Sequence, residues 1–303
     1  MSAPAVLGVD IGGTKLAVRL EAPGAAPVQV STPWPAGGSA TDDLGLLAAT
    51  VAAARERRRR PIAAVGVALP ATVDHAGVVR AWPGRPGWQE FDLAGPLRAL
   101  GGGAPVRWAD DGDLAALAEA DAANAADLVY LGVGTGVGGG VVSGGRSLPG
   151  PGRGSSELGH VVVDAAGPRC DCGRRGCVQA AASGPATLRR ASRLRGEPVT
   201  FDELSAGWTG GVPWACTAIE EACTALALAV VAAGELLGTK TAVLGGGVPP
   251  RLPGYVEAVA ARVRELTRPA HPPPLVRAAR FGGLSSLHGA VLLARSTVVT
   301  GDP

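Results

Sequence analysis

The sequence predicts an α/β protein built from two similar lobes, and three observations predict it. Strand-like apolar runs alternate with helix-like segments along most of the chain. A strand, a glycine-rich turn and a second strand occur near the start of each half, as Asp10-Ile-Gly-Gly-Thr-Lys15 and again as Gly132-Val-Gly-Thr-Gly136. The 303 residues are enough for two lobes and a sizeable core. Two such loops, each offering backbone amides to a phosphate chain, suit a clamp that closes over a nucleotide.

Taken in order, Val6–Asp10 is a short apolar run that ends in glycines, and Leu16–Leu20 resumes it. The pair reads as a hairpin with a glycine turn at its tip. Leu44–Arg60 reads as a helix ending in Arg57-Arg-Arg-Arg60, and Pro61 stops it. Cations there suit the negative end of the helix macrodipole. Ala63–Leu69 is a buried-type strand. Val73–Trp88, rich in Gly and Pro, reads as a loop whose Trp82 and Trp88 are candidates to line a pocket. Asp113–Ala126 is an Ala-rich helix after an acidic strand end. Leu128–Gly132 and Gly139–Ser143 form a second hairpin around Val133–Gly138, and Ala242–Gly247 is a further strand with a glycine turn. Cys216 and Cys223 fall in a helical stretch, where they read as small buried hydrophobes.

Composition excludes several classes. A formal net charge of +2 gives no nucleic-acid footprint. The basic residues are nearly all Arg, so Lys15 draws notice because it lies inside a glycine motif. No signal peptide is evident, and the apolar stretch Ala222–Gly234, bounded by Glu221 and Glu235, is too short to span a bilayer. Five cysteines, three of them in metal spacing, fit a reducing compartment. A soluble cytoplasmic protein with no nucleic-acid or membrane partner is expected. Neither glycine loop has the spacing of a Walker P-loop, and no G-x-G-x-x-G has a Rossmann context.

The segment from His160 to Cys177 reads H-V-V-V-D-A-A-G-P-R-C-D-C-G-R-R-G-C. His160, Cys170, Cys172 and Cys177 make a Cys₃His set that closes a tetrahedral zinc site without help from elsewhere. Gly173 and Gly176 allow the tight turns that closure needs. Four protein ligands leave no open position, so the expected zinc is structural and activates no water.

Five motifs in order carry a resemblance. D-I-G-G-T-K at Asp10–Lys15, G-V-G-T-G-V-G-G-G at Gly132–Gly140, S-E-L-G-H at Ser156–His160, C-D-C-G-R-R-G-C at Cys170–Cys177 and L-G-G-G-V at Leu244–Val248 resemble the ROK family (repressors, open reading frames, kinases). The resemblance spans essentially the whole chain. It implies an α/β, actin-like, ribonuclease-H-like two-lobed sugar kinase fold with a zinc-stapled loop, binding sugar and ATP between the lobes. The small N-terminal lobe would take residues 1–108, completed by the C-terminal helix 289–303, and the large lobe 109–288 with the zinc motif. A homodimer is expected by the same resemblance.

The resemblance also implies roles. Asp10 would organise the water shell of Mg²⁺ bound with ATP. Gly12, Gly13 and Thr14 would approach the β- and γ-phosphates, with Lys15 adding charge. Gly134, Thr135 and Gly136 match the second phosphate loop, and Gly245, Gly246 and Gly247 the turn near the adenosine. Asp111 aligns with the catalytic aspartate, a general base for a substrate hydroxyl. Glu157 and His160 align with sugar contacts, and Asp113 is the better candidate to cap the helix.

The chain departs from the family pattern on the sugar side. The usual Asn-Asp pair is Asp110-Asp111, the usual Glu two residues beyond the third cysteine is Gln179, the loop asparagine before the Trp is Gly84, and the glycine after the loop proline is Ala71. Asp110 puts an acceptor-only carboxylate where a group that donates and accepts is usual. Asp110 and Gln179 therefore point to a substrate that shares the hydroxyl array of a hexose but differs at the ring or anomeric position. A C7-cyclitol of the kind phosphorylated by actinobacterial enzymes, such as valiolone or valienol, fits, as does an amino or deoxy sugar. An ordinary glucokinase or an N-acylhexosamine kinase is the alternative, and a primary hydroxyl the default acceptor. A repressor is not expected, because the first phosphate motif begins at Asp10 and leaves no room for a helix-turn-helix. A non-catalytic sugar-binding sensor would be expected to lose some of Asp10, Gly12, Gly13, Thr14, Thr135 and Asp111, and all are present. A metal hydrolase needs an open zinc position that this ligand set does not supply.

Overall fold

The computed structural model describes residues 3–34, 38–82, 84–150 and 154–300, with only the backbone of 299–300. Pro83 of the expected Trp loop, and residues 1–2, 35–37, 151–153 and 301–303 of the expected lobes, lie outside the described residues. The chain forms two compact units. One comprises Met1–Ala118, Pro149–Gly154 and Ser286–Pro303, and the other Glu119–Leu148 and Ser155–Ser285.

In the first unit, strands β1 (Ala5–Ile11), β2 (Lys15–Glu21) and β3 (Val28–Pro33) are followed by helix α1 (Ala40–Arg57) and strand β4 (Ile62–Ala68). A short ribbon, β5 (Thr72–Val73) and β6 (Val79–Ala81), precedes α2 (Ala94–Leu100), β7 (Val106–Ala109) and α3 (Asp111–Ala123). The main sheet has the order β3-β2-β1-β4-β7. β1 runs antiparallel to β2 and parallel to β4, and β4 runs parallel to β7. Leu7, Val9, Ile11, Leu16, Val18, Val65 and Val67 bury one layer of core against α1 and the Trp loop.

Two expectations need correction here. Helix α1 starts four residues before Leu44, because the Ser39 hydroxyl caps it by accepting from the Asp42 N–H at 3.1 Å and the first turn is acidic. It ends at Arg57, so Arg58–Arg60 lie beyond the helix. Trp82 and Trp88 do not stand in an open loop; they are 4% and 0% exposed and pack at 5.3 Å with their rings tilted by 54° inside the core. The Trp88 Nε1–H donates to the buried Asp43 at 2.7 Å, and Arg85 donates to the same carboxylate at 2.8 Å.

The second unit repeats the plan. Strands β8 (Leu128–Val133), β9 (Val137–Ser143) and β10 (Arg146–Leu148) lead through the zinc-motif loop to helices α4 (Val178–Ala182), α5 (Gly184–Arg195), α6 (Phe201–Thr209) and α7 (Pro213–Leu237). Then come β11 (Thr241–Gly245), α8 (Tyr255–Leu266) and β12 (Leu275–Ala278), before α9 (Ser285–Thr300). The sheet order is β10-β9-β8-β11-β12, with β8 antiparallel to β9 and parallel to β11. Both sheets therefore share one strand order and sense, the duplicated plan of the actin-like, ribonuclease-H-like fold. The apolar helix α7 is the core helix of this unit. It buries Ile219, Cys223, Leu226 and Val230 against α4, α5, α6 and α8. Cys216 is half-buried on the same helix.

Helix α9 packs on the first sheet at close range. A methyl at Gly66 would lie 2.0 Å from the Ala290 carbonyl oxygen, and one at Gly289 would lie 2.0 Å from the Leu114 carbonyl oxygen of α3. Glycine at these positions lets backbone meet backbone.

Candidate functional site

In the first unit the β1–β2 hairpin carries Gly12, Gly13 and Thr14 at its tip. The Gly12 N–H donates to the Lys15 carbonyl at 3.0 Å, and the Trp34 N–H donates to the Thr14 carbonyl at 2.9 Å. These bonds fix the turn and leave Gly13 and Thr14 exposed at its end. Asp10 sits on β1 just before the tip, 4% exposed. Burial and then the charge of Asp111 raise its pKa from 3.8 to about 7, while a Ser286 hydroxyl and the charge of Lys15 pull it down. The structure thus brings Asp10, Asp111, Lys15 and Ser286 into one electrostatic cluster. Two carboxylates meet one lysine there, so negative charge is in excess, and this donor set fits a hydrated divalent cation.

That shift predicts a stability effect. Between about pH 4 and 7 the native state holds a proton on Asp10 that the unfolded chain has released, so stability falls as pH rises through this window. The loss amounts to about 4 kcal/mol at pH 8. Asp10→Asn is expected to melt above the ligand-free wild type at pH 8, with the gap closing toward pH 4, and to lose turnover. Equal melting temperatures across that range would show that Asp10 is not strained by burial.

Strand β7 ends at Ala109, and α3 starts at Asp111. Asp110 Oδ1 accepts from the Gly112 N–H at 3.0 Å and the Asp113 N–H at 3.3 Å, and the Asp110 carbonyl accepts from Leu114 at 3.0 Å. Asp110 is therefore the helix cap. Asp113, the expected cap, is buried in the first turn, because the helix begins two residues earlier than its apolar pattern suggests. Asp111 occupies the first helical position and is half-buried.

In the second unit the β8–β9 hairpin presents Gly134, Thr135 and Gly136. The Gly134 N–H donates to the Gly136 carbonyl at 2.8 Å, and the Gly184 N–H donates to the Gly134 carbonyl at 2.9 Å. Gln179, expected on the sugar side, has its side-chain oxygen on the Val137 N–H at 3.1 Å and fills the space beside Gly136. Its amide braces the loop from below. The Gly245–Gly247 turn packs on the same hairpin: the Val248 N–H donates to the Val133 carbonyl at 3.0 Å. Gly246 has φ +87°, and a methyl there would lie 2.4 Å from that carbonyl oxygen, so only glycine fits.

Glu157 is exposed and accepts from the Ser155 hydroxyl at 2.7 Å. It leads into the single helical turn Leu158–His160, which ends on the zinc motif. The ligand atoms of His160, Cys170, Cys172 and Cys177 all lie within 4.8 Å of one another. His160 Nδ1 is 3.6 Å from the Cys170 Sγ, and the Cys172 and Cys177 sulfurs are 3.6 Å apart. Tetrahedral Zn–S bonds of about 2.3 Å and Zn–N bonds of about 2.0 Å place donor atoms about 3.6–3.8 Å apart. The four residues fit zinc. Hydrogen bonds from the backbone and side chain of Arg174 hold the Cys172 thiol down at about 6, toward the thiolate that binds metal.

Three groups escape a reading of the sequence. Ser286 is a neighbour of Asp10 that lowers its pKa, Gly184 holds the second glycine loop, and Glu119 is a buried carboxylate at 3% exposure. The pair Ser285-Ser286, opening a helix-like run after Gly282-Gly283, is the signal available for the first.

The ROK family model matches residues 6–297. The chain is 50% identical to the kanosamine kinase of Amycolatopsis mediterranei (strain S699) over 294 residues, covering 97% of each chain. Its structure is similar to that of a ROK hexokinase from Thermus thermophilus, with a TM-score of 0.84, 34% identity and coverage of 98% of this chain and 100% of that one. A ROK family glucokinase from Streptomyces griseus in complex with glucose and AMPPNP matches with a TM-score of 0.82 and 25% identity, over 96% of this chain and 99% of the other.

Proposed function

Starting from the chain's membership of the ROK family and its nature as an ATP-dependent sugar kinase, we propose that its substrate is an amino-substituted hexose of the kanosamine type. The observation that carries this reading is Asp110. A carboxylate only accepts hydrogen bonds, so it discriminates in favour of a substrate group that only donates, such as an ammonium. One oxygen of Asp110 is taken up by helix capping, which fixes the carboxylate's orientation. The 50% identity to a kanosamine kinase supports the same substrate class.

In this reading Asp111 accepts the proton of the substrate's primary hydroxyl as that oxygen attacks the γ-phosphorus of ATP. The amides of Gly12–Thr14 and Gly134–Gly136 meet the phosphate oxygens, and Lys15 adds a positive charge. Mg²⁺, organised through Asp10, supplies charge neutralisation on the phosphates when bound. His160, Cys170, Cys172 and Cys177 would hold a structural zinc, which would fix the turn that presents Glu157 and His160 to the sugar. Gln179 supports the second phosphate loop.

The test is ADP release against kanosamine, glucose, mannose, N-acetylated hexosamines, valiolone and valienol. We expect kcat/KM for kanosamine to exceed that for glucose by about tenfold or more, with the preference collapsing in Asp110→Asn. A neutral C7-cyclitol shares the hydroxyl array but offers Asp110 no ammonium. A cyclitol or glucose turned over faster than kanosamine would overturn the aminohexose reading.

A further inference from the structure

Helix α1 meets the segment 84–88 across a buried ion pair. Asp43 and Arg85 are 3% and 5% exposed, and the Arg85 Nη1 donates to both carboxylate oxygens at 2.8 Å. The Trp88 indole N–H supplies a further donor at 2.7 Å. Two charges taken out of water regain little net stability from each other, so the pair is a weak device for stability alone. What it does is hold the guanidinium in place.

The guanidinium carbon of Arg85 lies 4.4 Å from the centre of the Trp34 ring, within cation–π range. Trp34 directly follows β3 and is itself buried. Its backbone N–H donates to the Thr14 carbonyl at 2.9 Å, at the tip of the β1–β2 hairpin. Gly13 and Thr14 are exposed there, and Trp34 anchors them from outside the hairpin. The chain passes over the ion pair again at Gly38, where a methyl would lie 2.7 Å from Asp43 Oδ1. All of these groups belong to the first unit. They form one line of contacts, Asp43–Arg85–Trp34–Thr14, from a core helix to the end of the glycine loop.

We infer that Asp43 and Arg85 are positioning residues for the phosphate donor, holding the Gly12–Thr14 loop through Trp34. The inference rests on the kinase reading of that loop. Both residues act through Trp34 rather than by touching the nucleotide. Amide donors stabilise charge only where they are correctly placed, and misplacement by about 1 Å costs rate on the order of 10²-fold. Because the line of contacts ends on the phosphate loop, its loss is felt by ATP and not by the sugar.

The experiment measures KM for Mg-ATP and KM for the sugar that the ADP-release assay ranks first, with melting temperature and zinc content. The variants are the double change Asp43→Asn/Arg85→Met, Arg85→Lys, Trp34→Phe and Gly13→Asp. The double variant nearly keeps the side-chain volumes and removes both charges, a change that is often neutral for stability. It is expected to melt near the wild type, with KM for Mg-ATP raised about fivefold or more and the sugar KM changed by no more than about twofold. Arg85→Lys keeps the charge beside Asp43 but lacks the flat face that stacks on the indole. It is expected to raise KM for Mg-ATP about twofold to threefold. A folded double variant with wild-type KM for Mg-ATP, or with both KM values raised alike, would reduce the pair to a core contact. If the double variant does not fold, Trp34→Phe decides. The Trp34 Nε1 has no partner among the described residues, so this change costs no hydrogen bond and weakens the stack. A raised KM for Mg-ATP at unchanged sugar KM then supports the proposal, and an unchanged one overturns it. Gly13→Asp tests the loop assignment itself, since a side chain there has open space and a carboxylate would repel phosphate. If Gly13→Asp raises KM for Mg-ATP and the double variant does not, the positioning role falls and the phosphate loop stands. If Gly13→Asp leaves KM for Mg-ATP unchanged, both fall.

Discussion

Asp111→Asn is expected to lower kcat by about 10²–10⁴-fold, the usual contribution of a general base. Melting temperature and zinc content should stay at or above wild-type values. The substitution is nearly isosteric, at the first position of α3, where the capping bonds belong to Asp110 and stay in place. What is lost is the ability to take a proton. A second consequence separates this outcome from a folding defect. The charge of Asp111 helps to raise the pKa of Asp10, so its removal lets Asp10 ionise at lower pH and relieves part of the destabilisation above neutral pH. At pH 8 the ligand-free variant should therefore be slightly more stable than the wild type. Single-turnover kinetics with Mg-ATP and the melting curve, taken on one sample, check both halves. A kcat within about tenfold of wild type would place the base elsewhere.

Cys170→Ser is expected to lose zinc, stability and sugar affinity together. The loop from Val161 to Cys177 has little core of its own. Val162 is exposed, and the loop is tied by a few backbone bonds such as Val163 to Gly176 and Cys170 to Arg174, both at 2.8 Å. Metal ligation takes the place of an apolar core in such a segment. A hydroxyl at 170 is a poor zinc ligand, and the three remaining donors would bind weakly. A fall in melting temperature on the order of 10 °C is expected, with the sugar KM rising on the order of tenfold. The two effects are linked because His160 is both a ligand and the end of the turn that begins after Glu157. Metal analysis, calorimetry and KM on the same preparation test the link. Wild-type KM and melting temperature in a zinc-free variant would remove the role assigned to the metal.

The features that can be read from the sequence are those whose physics is local. Both hairpins are visible because an apolar run, a glycine turn and a second apolar run are contiguous. The Cys₃His cluster that fits zinc is visible because its four residues lie within one short loop, and the structure brings their donor atoms together. The interactions that cannot be read are those between distant segments. Nothing near Asp10 announces that Ser286 will meet it, and nothing near Glu119 announces the turn at 280–285 that donates hydrogen bonds to it. Gln179 is read as a sugar contact from its place after the cysteines, and its bond to the Val137 N–H, which depends on how α4 packs against β9, is not legible there. The start of α3 is misplaced for a related reason. Apolar periodicity begins at Leu114, but a capping carboxylate precedes the first buried side chain, and Asp110 supplies it. Trp82 and Trp88 mislead because glycine and proline around them suggest a loop, while a buried Asp43 from α1 supplies the acceptor that lets Trp88 enter the core.

The seating of α9 has a mechanical consequence. At Gly66 and Gly289 the backbone of this helix rests on its neighbours with no side chains between them. A layer of leucines can yield by changing rotamers, but peptide against peptide has no such slack. The first half of the helix is in effect clamped, so it cannot slide or tilt there without backbone meeting backbone. The last helix of the chain behaves less as a lid on the sheet than as a stiff rod whose first turns are seated on β1, β4 and α3.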